Sequence, residues 1–160
     1  MQNVRDNTGF SLVELMMVIV LINILAAVGI TVYVGVQEKA RRAGMTEIAV
    51  GSKSELQHWL QSSLSSNKNL REIDTNLNGN VEGSDAENGV LYNNIAVRYT
   101  AGRNTVYGDK SPWFNIPLWN LNDPPIPGTI SLTQPAPSKL KVVATGKNGE
   151  IITQYDISVY

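Results

Sequence analysis

Gly9-Phe10-Ser11-Leu12-Val13-Glu14-Leu15 opens the stretch that decides the fold, and Met16-Met17-Val18-Ile19-Val20-Leu21-Ile22-Asn23-Ile24-Leu25-Ala26-Ala27-Val28-Gly29-Ile30 continues it. From Phe10 to Val36 the polar side chains are Ser11, Glu14, Asn23 and Thr31. At ~1.5 Å rise per residue such a run is about 40 Å long as a helix, enough to cross a bilayer core of about 30 Å. The reading is membrane insertion. Glu14, five residues into the run, is the anomaly: a carboxylate there costs about 2.5–3.5 kcal/mol on insertion scales. It either snorkels to the headgroups from near the segment's end or has a partner.

The string Gly-Phe-Ser-Leu-Val-Glu-Leu-Met-Met-Val, with nine residues before the Phe and Ile-Leu-Ala-Ala-Val further on, resembles the signature of type IV pilins and pseudopilins. The resemblance implies a membrane prepilin peptidase that cuts after Gly9, N-methylation of the new terminus at Phe10, and an assembly role for Glu14. Physics agrees with that carry-over. The cut creates a cation at Phe10, and the Glu14 carboxylate of a neighbouring chain neutralises it in low dielectric, where such a pair is worth more than in water.

The resemblance covers residues 9–36 and fades beyond. Thr31 precedes Val32-Tyr33, so a proline kink frequent in the family is absent, although Gly29 and Gly35 loosen the helix at about 0.8–1 kcal/mol each relative to Ala. Asn23 stands where small residues are usual, and it either bonds across helices or satisfies a backbone carbonyl. Charge counting opposes the family's orientation. Arg5 lies on one side of the segment and Lys39, Arg41 and Arg42 on the other, which taken alone keeps the large domain cytoplasmic. The resemblance implies the reverse, an exported domain, and seven matched positions outweigh four charges.

With 160 residues, 42% of them hydrophobic, the chain fits an anchor and one modest domain. A net charge of −1 gives no sign of nucleic-acid binding. There is no cysteine, so the C-terminal disulfide common among the pilins it resembles cannot form, and strand pairing or a metal must hold that end.

The helix is expected to continue past the membrane. Val36, Ala40, Ala43, Ile48, Leu56, Trp59, Leu60 and Leu64 recur at helical spacings, with Gly44 and Gly51 placed to admit a sheet and Ser62–Asn67 as the fraying end. His58, the only histidine, has neither the nucleophile nor the further ligands that catalysis or zinc would need, so an exposed helix residue is expected.

Asp74-Thr75-Asn76-Leu77-Asn78-Gly79-Asn80-Val81-Glu82-Gly83-Ser84-Asp85 reads against the twelve-residue calcium loop. Asp74, Asn76 and Asn78 stand at positions 1, 3 and 5, and Gly79 takes the tight turn. The carbonyl of Asn80 serves at position 7, Glu82 at 9, and Asp85 replaces the bidentate Glu at 12, which weakens the site. An Asn/Gly-rich connector is the plain alternative.

Beyond residue 89 short strands are expected at Leu91–Tyr99 and Asn104–Tyr107, with another at Thr129–Leu132. Lys139–Thr145 and Glu150–Tyr160 flank Gly146-Lys147-Asn148-Gly149 as a hairpin, with Ile151, Thr153, Tyr155, Ile157 and Val159 facing the Trp59 side of the helix. All seven prolines fall between Pro112 and Pro137, in a turn-rich excursion where Trp113, Phe114 and Trp119 either pin the loop to the sheet or form a ligand or subunit-contact patch.

The expected architecture is α+β and pilin-like, a long N-terminal helix with a hydrophobic first half on a C-terminal antiparallel sheet. Its divisions are a leader at 1–9, an assembly helix at 10–36, an amphipathic continuation at 37–66 and a β-rich head at 67–160. The function the resemblance implies is a type IV pilus subunit, a homopolymer raised by an inner-membrane assembly platform, held in the inner membrane and then extracellular. The alternatives are a periplasmic pseudopilin of a type II secretion system and an anchored calcium- or ligand-binding domain that does not polymerise. No nucleophile–base pair or phosphate-cradling loop suggests an enzyme.

Overall fold

A computed structural model describes residues 9–65, 73–76, 78–82, 85 and 91–159. The chain divides into two compact units, residues 1–40 and 41–160. The longest element is α1, Leu12–Ser65, 54 residues.

In the first unit α1 is bare. Its large apolar side chains from Leu12 to Val36 are all exposed, Val18 least at 42% and Leu12 most at 73%. The helix is long and apolar enough to cross a membrane, and none of its most apolar window is buried within the chain.

The second unit is a four-stranded sheet packed against the last turns of α1. The strands are β1 (Trp119–Asn120), β2 (Ile130–Ala136), β3 (Lys139–Thr145) and β4 (Ile151–Ser158), in the order β1-β2-β3-β4. Pairing is antiparallel except at β1–β2, where two residues run parallel, Trp119 against Ile130 and Asn120 against Ser131. The fold is thus α+β with a mostly antiparallel sheet, one short parallel edge short of the expected pattern.

Helix and sheet meet at Met45, Ala49, Leu56, Trp59 and Leu60 on one side and Ile130, Leu132, Leu140, Val142, Ala144 and Ile157 on the other. The helix positions step by four, seven, three and one, a single stripe at helical period. The expected stripe differed: Ala40 and Ala43 are exposed, Ile48 is 37% exposed, and the buried places beside them belong to Met45 and Ala49. Gly44 and Gly51 do not admit the sheet either, since a Cβ built on each meets nothing within 4 Å.

Two expected strands are helical. Leu91–Gly102 forms α2, bent at Asn94 (φ −129°, ψ 21°), and Arg103–Tyr107 is a turn of π-helix ending at Gly108 with φ +66°. Ile95, Ala96 and Tyr99 are buried at spacings of one and three, which suits a helix and not a strand. The Gln134 side chain accepts from Ala96 N at 3.4 Å, capping the turn that restarts after the bend. In β4 the expected face also shifts. A bulge at the β3–β4 ladder leaves Ile151 62% exposed and turns Ile152 onto the core, while Tyr155, Ile157 and Val159 keep the anticipated side. The hairpin forms as expected, with Gly149 at φ +84°.

Aromatic packing stitches the excursion to the core. Trp59 meets Tyr99 edge-on at 5.5 Å, and Tyr99 meets Trp119 at 5.2 Å. The Tyr99 hydroxyl donates to Glu55 Oε2 at 2.8 Å, and burial, reinforced by the Glu55 charge, pushes its pKa far above the ordinary phenol value. Arg103 pairs with Asp109 at 2.8 Å, and the Trp119 indole donates to the same carboxylate at 2.9 Å. Trp119 is thus the anchor foreseen for it; Trp113 packs partly on the core, and Phe114, 37% exposed, covers Gly128. Tyr155 ties β4 to α1: its hydroxyl donates to the Ala49 carbonyl and lies 3.1 Å from Ser52 Oγ.

Trp59→Ala is expected to destabilise the second unit by about 3–5 kcal/mol, while Ile151→Ala should stay within about 0.5 kcal/mol of the parent in denaturant titrations.

Candidate functional site

The first candidate is the start of α1. Ser11 precedes the first helical residue, so its backbone and those after it begin with orphan N–H groups. Ser11 Oγ accepts from Val13 N at 3.3 Å, and Glu14 Oε2 accepts from Ser11 N at 2.9 Å. This reciprocal pair is a capping box, and a carboxylate in the first helical turn also suits the helix dipole. Glu14 therefore has an intrachain task that the reading of the sequence missed, although Ser11-x-x-Glu14 was the signal for it. Gly9 and Phe10 are exposed beside it, Phe10 at 78%. The structure thus brings Phe10 and Glu14 to one end of a bare apolar helix.

The second candidate is the loop at 73–85. Asp74 Oδ1 accepts from Asn78 N at 3.1 Å, and Oδ2 accepts from Gly79 N at 2.7 Å. Asn76 Oδ1 accepts from Asn78 N at 3.0 Å, and Asn78 Oδ1 from Asn80 N at 2.9 Å. The Asn78 amide donates to Glu82 Oε1 at 2.8 Å. Gly79, at φ +93°, makes the turn that a side chain would strain.

Asp85 organises the loop from beneath. Its side chain is 0% exposed; Oδ1 accepts from Thr75 N at 3.0 Å, Thr75 Oγ1 at 3.1 Å and Asn76 N at 3.2 Å, and Oδ2 from Glu82 N at 2.8 Å. Burial pushes its pKa up, but the bonds from Glu82, Asn76 and Thr75 together outweigh that and hold it below the usual carboxylate value. Ile73, also buried, seats the loop on the core.

The donor set is all oxygen, which suits calcium rather than zinc or copper. Among the described residues no three His, Cys, Asp or Glu side chains gather to hold an ion, so calcium here would rest on asparagine carbonyls as much as on carboxylates. Leu77, Gly83 and Ser84 lie outside the described residues. His58 is exposed on α1.

Residues 4–30 match the family model of the prokaryotic N-terminal methylation motif. No curated protein and no solved structure matched the chain. The matched stretch carries the class III signal of type IV pilins and pseudopilins, and it spans Gly9, Phe10 and Glu14. The chain thus carries a prepilin-type N-terminal signal, and its fold is α+β.

Because the Asp85 pKa is lowered in the folded protein, its stabilisation is complete above the unfolded value of about 3.9 and is lost as pH falls through the folded one. Asp85→Asn should cost about 1–3 kcal/mol at neutral pH, and acid titration followed by tryptophan fluorescence should show a smaller loss of stability below pH ~4 in this variant than in the parent.

Proposed function

We propose that this chain is the structural subunit of a type IV pilus, cut between Gly9 and Phe10 and polymerised through α1. One observation carries the reading: a helix whose large apolar side chains are exposed from Leu12 to Val36 starts at a carboxylate within the methylation motif. Hydrolysis of the Gly9–Phe10 bond by the prepilin peptidase leaves a Phe10 amine, which the family's methylation modifies without removing its charge. That cation meets the Glu14 carboxylate of a neighbouring copy, in place of the Ser11 N–H that Glu14 caps in the lone chain. The amine and acid set the register, and burial of Phe10–Val36 at about 25 cal/mol per Å² of apolar surface supplies the cohesion. The chain is held in the inner membrane by the same helix before an assembly platform extracts it.

For the loop we propose a weakly held structural calcium, taken by Asp74, Asn76, Asn78, Glu82 and the Asn80 carbonyl, with Asp85 beneath them. The turn at Gly79 and the all-oxygen set support it. This loop is the feature that favours the second reading, a type II secretion pseudopilin, because calcium sites are familiar in major pseudopilins, although theirs lie nearer the C-terminus than residues 74–85.

Gly9→Ala should leave an uncut precursor, and Glu14→Ala a processed subunit that stays in the membrane and assembles poorly. Electron microscopy of sheared cell surfaces checks both: fibres from Glu14→Ala cells at parental numbers contradict the pairing. A secretion defect with no long fibres in the parent selects the pseudopilin. Calorimetric titration of the processed head should show one calcium bound at sub-millimolar to millimolar affinity, abolished by Asp74→Ala; absence of binding at 10 times that range, roughly 10 mM, removes the ion.

A further inference from the structure

Asn23 is the residue of the apolar stretch to which the proposed assembly gives no task. It is the midpoint of Phe10–Val36, nine residues or about 14 Å along the helix from Glu14. Its side chain is exposed, and its carboxamide has no hydrogen-bond partner among the described residues, neither a side chain nor a backbone carbonyl of its own helix. A short amide at that depth cannot reach the headgroups as a lysine does, and lipid tails offer neither donor nor acceptor. Its partner must therefore be protein.

The chemistry selects the partner. A carboxamide carries both an N–H₂ donor and a C=O acceptor, so it is complementary to a copy of itself. Two copies inserted in the same membrane in the same direction bring Asn23 to the same depth. Ala26 and Ala27, the only alanines between Phe10 and Val36, stand three and four residues on and share its face. Small residues there let two backbones approach until a short side chain spans the gap.

We infer that Asn23 hydrogen-bonds to Asn23 of a second copy while both lie in the membrane, a parallel two-helix contact made before stacking. It rests on the reading that copies gather in the membrane for assembly.

The chain has no cysteine, so single introduced thiols report contacts cleanly. The full-length protein in phosphatidylcholine vesicles is oxidised after Ala27→Cys or Leu25→Cys, the latter facing the other way, about 200° from Asn23. The expected result is a disulfide dimer from Ala27→Cys and little from Leu25→Cys. By energy transfer between labelled copies, Asn23→Leu should weaken association about tenfold and Asn23→Gln should retain it. Equal cross-linking at both positions, or undiminished association of Asn23→Leu, overturns the inference. Cutting and fibre formation by the parent, scored separately, decide the assembly reading: fibres from the parent with normal association of Asn23→Leu sink the amide pair alone.

Discussion

A carboxylate at the mouth of a long apolar helix is the constraint on which the proposed assembly depends. In the lone chain Glu14 is satisfied by the N–H of Ser11, which it caps while Ser11 Oγ caps Val13. That arrangement removes the anomaly of an isolated charge, because the first turn of a helix carries partial positive charge and unpaired donors. In the proposed fibre a neighbour's Phe10 amine would take the place of that bond, and a full cation in low dielectric offers Glu14 more than one neutral N–H does.

The second unit holds its own stretch of α1 by one face. Its core takes one stripe of α1, from Met45 to Leu60, and leaves Gly51, Ser54 and His58 exposed on the other side together with Val50. Without a cysteine, the sheet's last strand is secured by other means: Tyr155 on the Ala49 carbonyl, Ile157 in the core, and the Arg42–Glu150 ion pair. The proline-rich excursion is held by Trp119, which is fixed at both ends: its ring meets Tyr99 edge-on, and its backbone pairs with the Asn104 side chain, at 2.8 and 3.2 Å.

What the sequence told correctly was written in long or strongly patterned signals: the apolar helix, the Gly-Phe-x-Leu-x-Glu string and the Gly146–Gly149 hairpin. What it hid were choices made by tertiary context. Leu91–Tyr99 carries β-branched and aromatic residues that suit a strand, yet Ile95, Ala96 and Tyr99 find the core only at helical spacing, with Gln134 supplying a cap from β2. Ile151 and Ile152 exchanged faces because a single bulge shifts a period-two pattern, and no local residue announces it. The glycines at 44 and 51 were read as making room for a sheet, but their spacing says only that one side is bare. The capping role of Glu14 was legible as Ser-x-x-Glu and was eclipsed by the louder signal of a charge in an apolar run. At the loop, alternate oxygens were readable, but the buried position of Asp85, bonded to Thr75, Asn76 and Glu82, was not.

The proposed fibre requires that the chain be cut beside Phe10, so that a new cation can replace Ser11 as the partner of Glu14. Intact-mass and N-terminal peptide analysis of the protein purified from its native membrane tests this most directly. A subunit of the proposed fibre begins at Phe10 and carries one methyl group, about 14 Da, on its α-amine. A native polypeptide that still begins at Met1 contradicts it.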